Sequence, residues 1–147
     1  MIERSRTIRW EDPAAAAAEG LALSGLDYFA AMERGEIPPP PMMALMGFEP
    51  VEFGEGRVVF AAAPGEHHGM VHGGLALTML DSAMGCAVHT TLPAGTGYIS
   101  LEVKVNFVRG VRAEDGRVAT AEGRLERESD GKLVAHGTTT CMILAPG

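Results

Sequence analysis

Asp81 is the only charged residue between positions 67 and 101, a stretch of 35 residues. A carboxylate in so apolar a setting costs several kcal/mol unless it is hydrogen-bonded or neutralised. Its chemistry allows two uses: it can tie a helix to a strand through a hydrogen bond, or it can act as a nucleophile or general base made reactive by partial desolvation. Upstream stands His72-Gly73-Gly74. At a helix start, glycines let the backbone approach a ligand, and free N–H groups point at any oxygen that becomes negative. A carboxylate and an oxyanion donor on one helix suit acyl transfer.

Spacing constrains that pairing. Gly73 and Asp81 are eight residues apart, about 12 Å of helix at about 1.5 Å per residue. Both cannot touch one carbonyl group. If they act together, the N–H comes from one subunit and the carboxylate from another, which requires a symmetric dimer with composite sites.

The helix that carries them is predicted over 72–90. Leu75, Ala76, Met79, Leu80, Ala83 and their neighbours cover most of its circumference, so a sheet must wrap it on nearly every side. Thr78, Asp81, Ser82, Gly85 and His89 share one narrow stripe, with His89 near the C-terminal partial charge. Residues 48–53 and 57–63 flank Gly54-Glu55-Gly56 as a hairpin. Residues 99–108 alternate without a slip, with Ile99, Leu101, Val103, Val105 and Phe107 on one face and Ser100, Glu102, Lys104 and Asn106 on the other. That polar face needs cover. Strands over 117–128 and 132–144 are joined at Ser129-Asp130-Gly131. The order ββαβββ implies an α+β fold, an antiparallel sheet on one central helix. Ahead of it, Asp12-Pro13 and Ser24 start two helices that end at Gly20 and near Arg34. Four prolines at 38–41 form a stiff linker. Residues 1–46 thus read as a helical appendage with a Pro-rich linker, and 47–147 as the core domain.

The chain has 147 residues, with 12 Lys and Arg against 19 Asp and Glu, a net charge of −7. No basic block interrupts this balance, so nucleic acid is set aside as a partner. The basic residues gather late, from Lys104 to Lys132, and Arg109 and Arg112 directly follow the strand that holds Ser100. If an anionic ligand binds, its charged end belongs there. Cys86 and Cys141 sit in apolar runs and read as reduced core thiols. The charge-free stretch 82–101 contains Pro93, Gly95 and Gly97 and cannot span a membrane; no signal-peptide pattern precedes it, so a soluble cytoplasmic protein is expected. His68 and His72 are four apart, but Gly69, Gly73 and Gly74 break any helix between them, and no metal is expected. Neither a Gly-Lys-Ser/Thr phosphate loop nor a Gly-x-Ser-x-Gly elbow is present.

Gly69-Met70-Val71-His72-Gly73-Gly74, then Asp81-Ser82-Ala83-Met84-Gly85, then the strand from Ile99 to Phe107 resemble the hotdog-fold thioesterases of the phenylacetate-degradation PaaI type, over about residues 47–144. The resemblance implies a long helix wrapped by an antiparallel sheet, dimers that often pair into tetramers, and hydrolysis of acyl-coenzyme A thioesters without metal or cofactor, coenzyme A being part of the substrate. Carried over, Gly73, within the His72-Gly73-Gly74 motif, supplies the N–H that polarises the thioester carbonyl. Asp81 of the facing subunit activates water or attacks directly, and Ser100 matches the Ser or Thr that places that water. From their place in the chain, Arg109 and Arg112 read either as two solvated loop charges or as guanidiniums that meet the phosphates of coenzyme A. One position departs from the pattern: Glu66 stands where the family usually has Asn, so that either His67 or His68 takes over its hold on the thioester oxygen or the site is weakened. Two other readings share the fold. A non-catalytic acyl-CoA-binding or regulatory protein is favoured by the altered 66–68 loop, whereas Asp81 favours the enzyme; a hydratase would need an Asp/His pair at a spacing this chain lacks.

Overall fold

The computed structural model describes residues 3, 5–63, 71–112, 118–121, 123–127 and 129–144. His67 and His68, and Glu66 beside them, lie outside the described residues. The two N-terminal helices start where the polar caps place them. Asp12 Oδ1 accepts from the Ala14 N–H at 2.9 Å and Ser24 Oγ from the Asp27 N–H at 3.2 Å, opening α1 (Pro13–Leu21) and α2 (Gly25–Glu33). A third short helix, α3 (Pro41–Met46), ends at Gly47, whose φ of 71° is the left-handed conformation that glycine adopts without penalty.

The chain then forms β1 (Phe48–Gly54), β2 (Arg57–Ala62), α4 (Gly73–His89), β3 (Gly97–Phe107), β4 (Val118–Ala121), β5 (Arg124–Arg127) and β6 (Leu133–Leu144). All strands pair antiparallel in one sheet of order β1-β2-β4-β5-β6-β3, which leaves β1 and β3 as its two edges. The sheet curls around α4, which packs against β2 through β6. Met79 and Leu80 of α4 are fully buried against Phe48, Val58, Phe60 and Ala135. Among the described residues, no helix is long and apolar enough to cross a membrane.

Three sequence expectations change. The strand expected over 117–128 is two strands: Gly123, at φ 71°, turns β4 directly into β5, pairing Ala121 with Arg124. Wrapping of α4 is incomplete, since Leu77 on the helix remains 41% exposed. The alternation of 99–108 is broken by a bulge between Ser100 and Glu102, so Leu101 has no partner on β6. A bulge adds one residue to one strand and reverses which face the following residues occupy. Tyr98 and Ser100 therefore turn toward α4 before the bulge, and Val103 and Val105 after it, while Ile99 and Leu101 are exposed on the outside.

The N-terminal helices dock on the end of α4. The Gly25 N–H donates to the Leu92 carbonyl at 3.0 Å, and the Gly95 N–H to the Leu21 carbonyl at 2.8 Å. A Cβ on Gly25 would fall 1.7 Å from the His89 carbonyl oxygen, so only glycine allows this approach. Phe29 of α2 stacks on Phe53 of β1 with ring centroids 4.4 Å apart.

Candidate active site

The N-terminus of α4 is built around His72. Its Nδ1 accepts the Gly74 N–H at 2.9 Å, and its carbonyl accepts from Leu75 at 3.0 Å. A helix start leaves its first N–H groups without intrahelical partners. With Gly74 occupied by the cap, the Gly73 N–H has no acceptor among the described residues. The Phe107 ring of β3 covers Gly73 closely, and a Cβ there would lie 3.1 Å from it. His72 thus directs the backbone, and Gly73 presents the available donor.

Two turns further along, Ser100 Oγ of β3 donates to Asp81 Oδ1 at 2.9 Å. The bulge at Leu101 makes this contact possible, because it turns Ser100 toward the helix on a strand whose later inward residues have the opposite parity. Asp81 is half-buried and Ser100 is exposed, so a water molecule can reach the pair. Both are on the same chain. Gly73 lies eight residues back on an unbroken helix, about 12 Å away along its axis. The geometry of the bond fits the tie between helix and strand as well as a held base.

The Val71 N–H donates to the Val111 carbonyl at 2.7 Å. That bond brings the segment after β3 beside the start of α4, so Arg109 and Arg112 stand exposed at the same end of the helix as Gly73. Of the other polar residues in the stripe, Thr78 returns its hydroxyl to the Gly74 carbonyl at 2.9 Å. His89 sits among the rings of Tyr28, Phe29 and Tyr98. Burial holds its pKa below the usual imidazole value, so desolvation outweighs the attraction of the helix end expected from the sequence. Cys86 and Cys141 are free thiols, and burial pushes the Cys86 thiol up to about 12. Among the described residues, no three His, Cys, Asp or Glu side chains gather as metal ligands.

Sequence reasoning missed Tyr98 and Phe107 as neighbours of the site. The signal for Tyr98 was its place two residues before Ser100, with Gly85 in the polar stripe opposite.

A six-stranded antiparallel sheet curled around one long helix, with a His-Gly-Gly start and an acid two turns on, is the hotdog architecture. The thioesterase superfamily matches this chain over residues 68–137. A conserved protein of known structure from Pseudomonas aeruginosa is 30% identical, with 72% of this chain and 95% of that one covered and a TM-score of 0.59. A phenylacetic acid degradation-related protein from Ralstonia eutropha is 28% identical over 78% of this chain and 98% of its own, with a TM-score of 0.66. An asparagine-to-aspartate mutant of the phenylacetic acid degradation protein PaaI from Thermus thermophilus is 28% identical over 69% and 97%, with a TM-score of 0.56. Among curated proteins none matches. The chain belongs to the hotdog-fold thioesterases, whose chemistry is thioester hydrolysis.

Proposed function

We propose that this protein hydrolyses acyl-coenzyme A thioesters to free acid and coenzyme A, in sites shared between two copies of the chain. The observation that carries this reading is the Ser100–Asp81 hydrogen bond of 2.9 Å on the same helix whose first N–H, that of Gly73, has no acceptor among the described residues. Ser100 fixes the carboxylate. Asp81 takes a proton from water as the water oxygen attacks the thioester carbon, and the Gly73 N–H of the second copy bonds the oxyanion that forms. Collapse of the tetrahedral intermediate breaks the C–S bond, and the leaving thiolate recovers the proton from Asp81. The step draws only on these protein groups and water; coenzyme A enters as part of the substrate.

The partner copy joins along β3, the open edge that carries Ser100, and covers the α4 face around Leu77 and Asp81. Arg109 and Arg112 then meet the phosphates of coenzyme A through bidentate guanidinium contacts.

Thiol release over a panel of aryl, short, medium and long acyl-CoA esters, with the wild type and Asp81→Asn, tests this. Asp81→Asn keeps size and polarity but removes the basic lone pair, so kcat should fall by roughly 10²–10⁴ while the melting temperature holds. A wild type that binds acyl-CoA and releases no thiol, or an active Asp81→Asn protein, overturns the reading; a lower melting temperature with turnover intact would assign Asp81 to the fold alone.

A further inference from the structure

From Asp81 the polar stripe of α4 leads one turn toward the C-terminus to Gly85. The recess left by that glycine is filled by Tyr98 of β3, since a Cβ on Gly85 would lie 2.6 Å from the phenol oxygen and 2.7 Å from the ring. Tyr98 shares the inward face with Ser100, two residues later on the same strand. The side chain is held on three sides. Its hydroxyl faces the Cys86 thiol, its ring stands 5.7 Å from that of His89, and His89 is backed by Tyr28 at 5.3 Å. Burial pushes the phenol well above its usual pKa, so it stays protonated and uncharged. Behind Tyr98 lies a cavity of about 200 Å³ between Ala17, Gly20 and Leu21 of α1, Tyr28 of α2, and His89. Tyr98 lines that space on one side and meets Gly85, one helical turn from Asp81, on the other.

We propose that Tyr98 is the floor of the acyl pocket, restricting the substrate to compact acyl groups, an aryl ring or a short chain, and that the cavity formed with α1 and α2 is the space a longer chain would enter were the phenol absent. This rests on the thioesterase reading above. Depth supports it: Asp81 and Gly85 are four residues apart, about 6 Å of helix, roughly the length of one aromatic ring or a four-carbon chain. Direction supports it too. Toward the N-terminus the stripe meets Thr78 and Gly74, already bonded to one another, and then the end of the helix where the arginines stand. Toward the C-terminus it meets Gly85, Tyr98 and the apolar walls of the cavity.

The test compares kcat/KM for butyryl-, benzoyl- and octanoyl-CoA in the wild type, Tyr98→Phe and Tyr98→Ala. The wild type should favour butyryl- or benzoyl-CoA. Tyr98→Phe keeps the ring and should leave the octanoyl-to-butyryl ratio within about twofold, whereas Tyr98→Ala should raise it at least about tenfold, a change of about 1.4 kcal/mol. Adding Ala17→Phe to Tyr98→Ala fills the cavity and should reverse the gain. Should Tyr98→Ala not fold, Tyr98→Leu opens the same path with more packing retained. An unchanged ratio in a folded variant, or a wild type that already prefers octanoyl-CoA, overturns the proposal while leaving the thioesterase reading in place. No thiol release from any ester in the wild type overturns that reading itself.

Discussion

Both edges of the sheet carry a bulge with one apolar residue out of register, Val51 in β1 and Leu101 in β3, exposed by 54% and 59%. Their surroundings differ. β1 is seven residues long, holds Pro50, and is packed by α2 and α3, with Phe29 of α2 stacked on Phe53. Proline, short length and a covering helix are the usual means of keeping an edge strand from pairing with another chain. β3 is eleven residues long, has no proline, and carries Ser100 on its inner face. One bulge thus helps close an edge, and the other turns a hydroxyl toward a carboxylate. The chain covers the edge away from the site with its own helices and leaves open the edge beside it.

Removing the cover on the β1 side should have the largest effect on stability. Phe29 is 2% exposed between Phe53, Tyr28 and His89. Phe29→Ala should cost about 3–5 kcal/mol and lower the melting temperature by roughly 10 °C in calorimetry, with the oligomeric state unchanged by light scattering. A loss of both would mean that the two edges are not independent.

A matched pair of charges tests the edges directly. Leu101→Lys should raise the dimer dissociation constant at least about tenfold and lower turnover with it, because a charge on a pairing edge opposes strand addition. Val51→Lys, the same change at the other bulge, should do neither. Light scattering across a dilution series reads both variants, and equal effects would erase the distinction drawn above.

The smallest effect lies where the two sides meet, at His89, which touches Phe29 on one side and Tyr98 on the other. Burial lowers its pKa from 6.5. The unfolded chain therefore binds the proton first as pH falls, so the contribution of His89 is present above about pH 6.5 and is lost as pH drops toward the lower folded value. Between pH 7.5 and 5.5 the melting temperature of the wild type should fall a few degrees more than that of His89→Gln. Equal slopes would show that His89 is not held neutral.

Much of this was legible beforehand because it is local. The α4 boundaries follow from His72-Gly73-Gly74 and the turn after His89, and the caps at Asp12 and Ser24 form as their side chains dictate. What could not be read belongs to pairing. Residues 99–107 alternate so regularly in type that no slip is visible, and only the register against β6 shows that Leu101 is extra. Tyr98 was hidden differently, since the alternation begins at Ile99 whereas the strand begins at Gly97. The turn at Gly123 did leave a trace, a lone glycine within a strand pattern.

The bonds that hold α1 and α2 also set when they can form. Each helix is nine residues long, short of the about 12–15 that an isolated helix needs to persist in water. Their anchors come much later in the chain: Gly25 waits for Leu92, and Leu21 for Gly95. During synthesis, at about 5–20 residues per second, the segment made first stays without its partners for several seconds, with Phe29 exposed to water. Contacts between positions so far apart in sequence close slowly. The amino-terminal helices are therefore born first and settle only after the central helix is complete, so a chain stalled before Gly95 would present them bare to any chaperone at the ribosome exit.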